Sequence, residues 1–223
     1  MKKVFRLIMT LVVVAAFTLS CGSKRPEQTM DNLKAAIASE TNAGATYQAF
    51  STNAAEAGCP NIAKMFAASA ASAAIRVKNH NEVLVMLGEE EFIPIHIGTP
   101  RVKNTFNNIQ TSIDGETYAY MRMYPGFIAT ADAEKCDEVF TTFSWACAVG
   151  AAHVKLYAQV REILLSQGDG LYSQARELQL TEGDKRVASV WYICPKCGNL
   201  LNTVERIDKC PLCAVPASTF LQF

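Results

Sequence analysis

The sequence predicts an all-α protein, a four-helix bundle followed by a small domain built on four cysteines. Three observations carry this. Residues 30–166 are rich in Ala, Leu, Met, Glu and Lys and poor in helix breakers. Within them, a short, a long and a short connection separate four helical stretches. Near the C-terminus stand Cys194-Pro195-Lys196-Cys197-Gly198 and Cys210-Pro211-Leu212-Cys213, with twelve residues between Cys197 and Cys210, which suits one tetrahedral metal.

At the N-terminus, Lys2, Lys3 and Arg6 precede an apolar run, Leu7 to Leu19, that ends at Ser20-Cys21-Gly22. A basic region, a short apolar region and small residues form the layout of an export signal. A cysteine at the cut predicts a lipoprotein acylated on Cys21, with residues 1–20 removed. The alternative is an uncleaved anchor, for which the run is short. Either way the protein is expected outside the cytoplasm and tethered to a membrane, with residues 21–29, including Lys24, Arg25, Pro26 and Glu27, as a flexible tether.

Four helices are expected over about 30–57, 60–87, 104–133 and 136–166. Gly58-Cys59-Pro60 separates the first two, and Pro60 suits a first helical turn. Gly88 to Pro100 reads as a long loop, with Pro94, Gly98 and Pro100 inside it. Short loop, long crossover, short loop is the ferritin-like arrangement of a four-helix bundle.

An internal repeat supports this pairing. Cys59 and Phe66 match Cys136 and Phe143 at one offset, and Glu40 matches Glu116 at nearly the same offset, each followed by threonine. Helices one and two therefore read as duplicated in helices three and four. Cys59 and Cys136 then fall at equivalent connections, expected at the same end of the bundle, where a disulfide is one option. Cys147 reads as a small buried residue. His80 is expected on the surface beside Lys78 and Asn79, and His96 in the crossover has no role assigned.

Residues 167–188, with Gly168, Gly170 and Gly183, read as a polar linker, and 189–223 as the metal domain. Pro195 and Pro211 pre-set turn dihedrals, and Gly198 can take a positive φ that lets backbone N–H groups approach sulfur. Ala214 holds the matching place in the second knuckle. About thirty-five residues make too small a core to stand alone, so the metal supplies much of the folding energy. Iron and zinc both fit four thiolates. Lys plus Arg equals Asp plus Glu at 21 each, which gives no electrostatic case for nucleic acid.

The Trp191-Tyr192-x-Cys194-Pro-x-Cys197-Gly opening and the Cys210-Pro-Leu-Cys213-x-x-Pro216 ending resemble a rubredoxin domain. That resemblance implies one iron held by Cys194, Cys197, Cys210 and Cys213 and carrying one electron, with Trp191, Tyr192, Phe220 and Phe223 as an aromatic cover. From about residue 30 the whole chain resembles the rubrerythrin family, a ferritin-like di-iron bundle followed by a rubredoxin domain. Gly115-Glu116-Thr117-Tyr118 and Met123-Tyr124-Pro125 resemble the family's third helix. The family's non-haem iron peroxidases pass electrons from the rubredoxin centre to a di-iron site, and its members are dimers or larger.

Carried over position by position, the di-iron pattern places its first-helix glutamate on Glu40 and its third-helix glutamate on Glu116. The second-helix Glu-x-x-His falls on Ala73 and Arg76, the fourth-helix pair on Gly150 and His153, and the extra third-helix glutamate on Ala119. Two bridging carboxylates are missing, so no ordinary di-iron centre is expected. Arg76 is expected to pair with Glu40 and Glu116 where metal charge would stand. A lone metal on Glu40, Glu116 and His153 is the weaker option. The implied function is rubrerythrin-like electron transfer linked to peroxide defence. The alternatives are a scaffold with a structural zinc or iron, or a peroxidase with an altered site. Homodimerisation is expected, and the redox partner is open.

Overall fold

The computed structural model describes residues 24–166, 180–204 and 207–223. The export signal with Cys21 and most of the predicted linker lie outside the described residues.

Helices α1 (Glu27–Glu56) and α2 (Pro60–Met86) form one antiparallel pair. Helix α3 (Thr105–Tyr118) runs through a π-helical turn (Ala119–Met123) into α4 (Tyr124–Ala133), and that rod pairs with α5 (Asp137–Leu165). The bundle matches the expected bounds within a few residues. The tether does not: α1 starts at Glu27, Pro26 is buried, and Arg25 pairs with Glu27 and Glu89. The acidic first turn at Glu27 favours this early start.

The two helix connections repeat each other in backbone detail. Gly58 and Lys135 both take left-handed φ, 73° and 58°. Cys59 N–H reaches Ala54 O and Cys136 N–H reaches Ala131 O, each the long bond of a Schellman turn. Each cysteine then starts the next helix with nearly the same dihedrals (φ −112°, ψ 70° and φ −106°, ψ 79°).

The cysteines lie at opposite ends of the bundle, against expectation. Glu134, beside Cys136, accepts the Thr29 N–H at the start of α1, whereas Cys59 follows the end of α1. Helix α1 has 30 residues and is about 45 Å long, far beyond disulfide reach. Antiparallel helices put consecutive short connections at alternate ends, because the long crossover returns the chain.

Asparagine side chains standing in for backbone partners hold that crossover. Asn81 exchanges two bonds with the Phe92 peptide, Asn42 accepts the Gly98 N–H, and Asn108 binds both Lys103 N–H and Lys103 O. Asn104 caps α3 by accepting the Asn107 N–H at 2.9 Å.

The C-terminal domain is a three-stranded antiparallel sheet in the order β2-β1-β3, with β1 at Tyr192–Ile193, β2 at Leu200–Leu201 and β3 at Leu221–Gln222. It packs on the bundle of its own chain. Trp191 is buried in the bundle core and donates to Asn61 O. Asp184 falls inside the predicted linker 167–188, yet it is buried and its carboxylate caps α2 by accepting Asn61 and Ile62 N–H at 3.1 and 2.8 Å. Helix α2 begins at a proline and has no cap from its own chain segment, so a distant carboxylate takes that place. Among the described residues, no helix is long and apolar enough to cross a membrane.

Candidate functional site

The two cysteine knuckles share one backbone solution. Gly198 N–H reaches Cys194 O and Ala214 N–H reaches Cys210 O, with left-handed φ at Gly198 (79°) and Ala214 (60°). A left-handed alanine costs about 1–2 kcal/mol, which metal binding readily offsets. Backbone N–H groups of Lys196 and Cys197 point at the Cys194 sulfur, that of Asn199 at Cys197, and that of Val215 at Cys213. They stabilise negative charge on sulfur.

All four sulfurs lie within 4.8 Å of one another, with Cys194–Cys213 at 3.4 Å and Cys197–Cys210 at 3.6 Å. A tetrahedron with metal–sulfur bonds of about 2.3 Å has edges of about 3.8 Å. The donor set therefore fits one iron or zinc.

The aromatic cover differs from the expected one. Trp145 of α5 and Phe220 pack on the cysteine cluster, whereas Trp191 and Phe223 join the bundle core. The Lys196 ammonium lies 5.1 Å above the Trp145 ring. Sequence reasoning missed Trp145 because it lies almost fifty residues before the first knuckle.

Inside the bundle, Glu40, Arg76, Glu116 and His153 converge, all buried. Arg76 Nη2 lies 2.7 Å from Glu40 Oε2 and 3.6 Å from Glu116 Oε1. The shorter contact is a charge contact whose N–H directions are not aligned for a hydrogen bond. Tyr124 donates to Glu40 Oε1 at 2.5 Å, and Tyr47 donates to Glu116 Oε1 at 2.8 Å. His153 Nδ1 lies 2.8 Å from the same Glu116 oxygen, and a carboxylate only accepts, so Nδ1 carries the hydrogen.

The repeat explains this crossed pattern. Tyr47 and Tyr124 are equivalent positions, and each bonds the glutamate of the other half. Arg76 and His153 are equivalent too. Glu40 and Cys59 are nineteen residues apart, while Glu116 and Cys136 are twenty apart. The π turn between Glu116 and Tyr124 absorbs the extra residue. At regular α spacing, eight residues would leave those side chains about 80° apart, and the π turn swings them onto one face. The uneven offset was the sequence signal for it.

His80 is fully buried, contrary to the expected surface position. Thr142 Oγ1 lies 3.1 Å from Nδ1 and Tyr124 Oη 3.2 Å from Nε2. Tyr124 spends its hydrogen on Glu40, so His80 Nε2 donates and Nδ1 accepts. Tyr118 is 63 % exposed and lines the cavity that reaches the cluster. Cys147 is half-buried and directs its thiol at Tyr120 O.

Charge balance sets the protonation states. Burial alone would lower the Arg76 pKa, but Glu40 and then Glu116 raise it. Burial works to raise Glu116, yet His153, Arg76 and the bonds from His153 and Tyr47 push it down to about 2. Tyr47 and Tyr124 are raised by burial and then by their glutamates. Burial, then the Arg76 charge, pushes His80 down to about 3.

These residues do not fit two metals. The guanidinium stands between the carboxylates, and Ala73, Ala119 and Gly150 bring no bridging anion. Among the described residues, only the four cysteines gather three or more metal-donor groups. A cavity of about 260 Å³ between α1 and α3 reaches Glu40, Tyr47, Arg76 and Glu116.

Comparison with known proteins agrees with the fold and the knuckles. The rubrerythrin family model matches residues 31–160. Nigerythrin from Nitratidesulfovibrio vulgaris strain Hildenborough is 29% identical over 195 residues, covering 87% of this chain and 86% of that one. Rubrerythrin-2 from Clostridium acetobutylicum is 29% identical over 204 residues, covering 90% of this chain and all of the relative. A solved structure of nigerythrin in a mixed-valence state superposes with a TM-score of 0.70 at 28% identity, covering 100% of both chains. With a family match over more than half its length, a ferritin-like bundle and a four-cysteine domain after it, this chain belongs to the rubrerythrin family.

Proposed function

We propose that this protein is an iron-binding redox protein whose working centre is one iron on Cys194, Cys197, Cys210 and Cys213. The observation that carries the reading is the convergence of four sulfurs within 4.8 Å, set by two matching knuckles. An iron bound there takes up and releases single electrons. The chain's own part is to hold the four thiolates, to aim backbone N–H groups at the sulfurs, and to cover the centre with Trp145 and Phe220. The nigerythrin relatives support iron, one being solved in an all-ferrous state.

In this reading the bundle holds no di-iron centre. Arg76 supplies a positive charge that faces Glu40 and Glu116 in the core, as the ion-pair geometry supports. The electron path then serves peroxide and oxidative-stress defence, outside the cytoplasm, on a homodimer anchored by an acyl chain on Cys21. Metal analysis with visible spectroscopy on the full chain tests the centre. One iron per chain, red when ferric and bleached on reduction, is expected, with loss of both colour and iron in C197S/C210S. Iron that survives that double substitution would place metal in the bundle and overturn the reading. A mass shift of a diacylglyceryl group on Cys21 tests the anchor.

The same sulfur geometry fits zinc, which makes a non-catalytic scaffold with a structural metal the second reading. A colourless protein with one zinc per chain selects it.

A further inference from the structure

The knuckle that carries Cys194 and Cys197 is seated on α2, and the seat is polar. Ser72 donates to Gly198 O at 2.5 Å, and Asn79 Nδ2 donates to Lys196 O at 2.7 Å. The carbonyls of both residues flanking Cys197 are thus held by one face of one helix. Arg76 lies on that face between Ser72 and Asn79, at the i, i+4, i+7 spacing. A β-carbon on Gly198 would stand 3.0 Å from Ser72 O and 3.6 Å from Arg76 Cγ, so only glycine permits the approach.

The hydrogen bonds along this contact have one direction. Arg76 Nη1 donates to Ser72 Oγ at 3.0 Å. The Ser72 hydroxyl, accepting there, donates to Gly198 O. The same Gly198–Asn199 peptide points its N–H at the Cys197 sulfur. Every donor is aimed toward sulfur, and each bond polarises the next. The relay starts at a buried guanidinium, 2 % exposed, whose charge water barely screens. Glu40 and Glu116 lie on the other side of that charge.

We propose that Arg76 is a positioning residue for the four-cysteine centre: through Ser72 and the Gly198–Asn199 peptide it raises the centre's reduction potential. The step is a one-electron reduction by an external one-electron donor, with no proton moved and no bond broken. The added negative charge spreads over the sulfurs, and hydrogen bonds and positive charge facing them favour that state. The inference rests on the reading that the cysteines hold iron. It gives this chain's departure from the di-iron pattern a use: at the position of a histidine ligand, a fixed cation serves the other centre.

Potentiometry on the iron-loaded full chain tests this, with dithionite as donor. S72A is expected to weaken electron uptake about threefold. R76Q should weaken it about tenfold, which is about 59 mV for one electron. E40Q removes the opposing charge and is expected to shift the potential the other way, whereas mere loosening of the seat would lower all three alike. Full iron loading and unchanged helix content confirm that S72A and E40Q fold, whatever becomes of R76Q. A normal iron wave that stays put in S72A and E40Q overturns the proposal. A wild-type chain with no one-electron wave removes the iron reading first, and this inference with it.

Discussion

A β-carbon on Gly150 would stand 3.1 Å from Glu116 Oε2, so the carboxylate fills the space that a side chain at 150 would need. Helix propensity alone would favour alanine over this mid-helix glycine by about 1 kcal/mol. Glu116 cannot move aside easily, because Tyr47, His153 and Arg76 hold its other oxygen. G150A is therefore expected to lower the melting temperature. A rise would mean that the carboxylate relaxes freely.

Replacing Arg76 removes the buried guanidinium that faces Glu40 and Glu116. R76M is expected to cost about 3–5 kcal/mol at neutral pH. The loss should shrink in acid, because Arg76 is one of the charges that hold the Glu116 pKa down and a Glu116 without it takes up its proton more readily. Urea denaturation at pH 5 and pH 8 checks this, with the larger loss expected at pH 8.

Acid should unfold the bundle in two overlapping ranges. His80 falls from an ordinary 6.5 to about 3 on folding, so the unfolded chain binds the proton first. Its neutral state therefore destabilises the fold relative to the unfolded chain progressively as pH drops from 6.5 toward 3. Glu116 falls from 4.5 to about 2, so its contribution is complete above 4.5 and is lost as pH drops toward 2. Stability measured by denaturant titration should be flat near neutrality and decline below pH 6.5. In H80Q the decline should start only nearer pH 4.5.

Asp184 caps a helix that starts more than a hundred residues before it in sequence. D184A is expected to cost about 1–2 kcal/mol, as loss of a good N-cap does. It should also loosen the chain leading into the metal domain, speeding hydrogen exchange at Asn61 and Ile62. D184N keeps an acceptor oxygen and should recover part of the loss.

The sequence by itself determined the helices, their pairing and the metal knuckles, because each is set by local chemistry. Helical composition, turn glycines and two Cys-Pro-x-Cys turns act over a few residues, and the Cys59/Cys136 and Phe66/Phe143 repeat exposed the duplication. The resemblance to the rubrerythrin family placed Glu40, Arg76, Glu116 and His153 on its ligand positions, and the packed helices bring the four side chains together. The rest depended on which elements meet in space. His80 looked polar and exposed beside Lys78 and Asn79, but Tyr124 and Thr142, more than forty residues away, satisfy both its nitrogens. Trp145 covers the cysteines only because α5 meets the knuckle, and Ser72 touches Gly198 only because that knuckle rests on α2. Hydrogen bonds and ion pairs made across such distances depend on angles and tenths of an ångström, and those are fixed only when the packed helices set the separations.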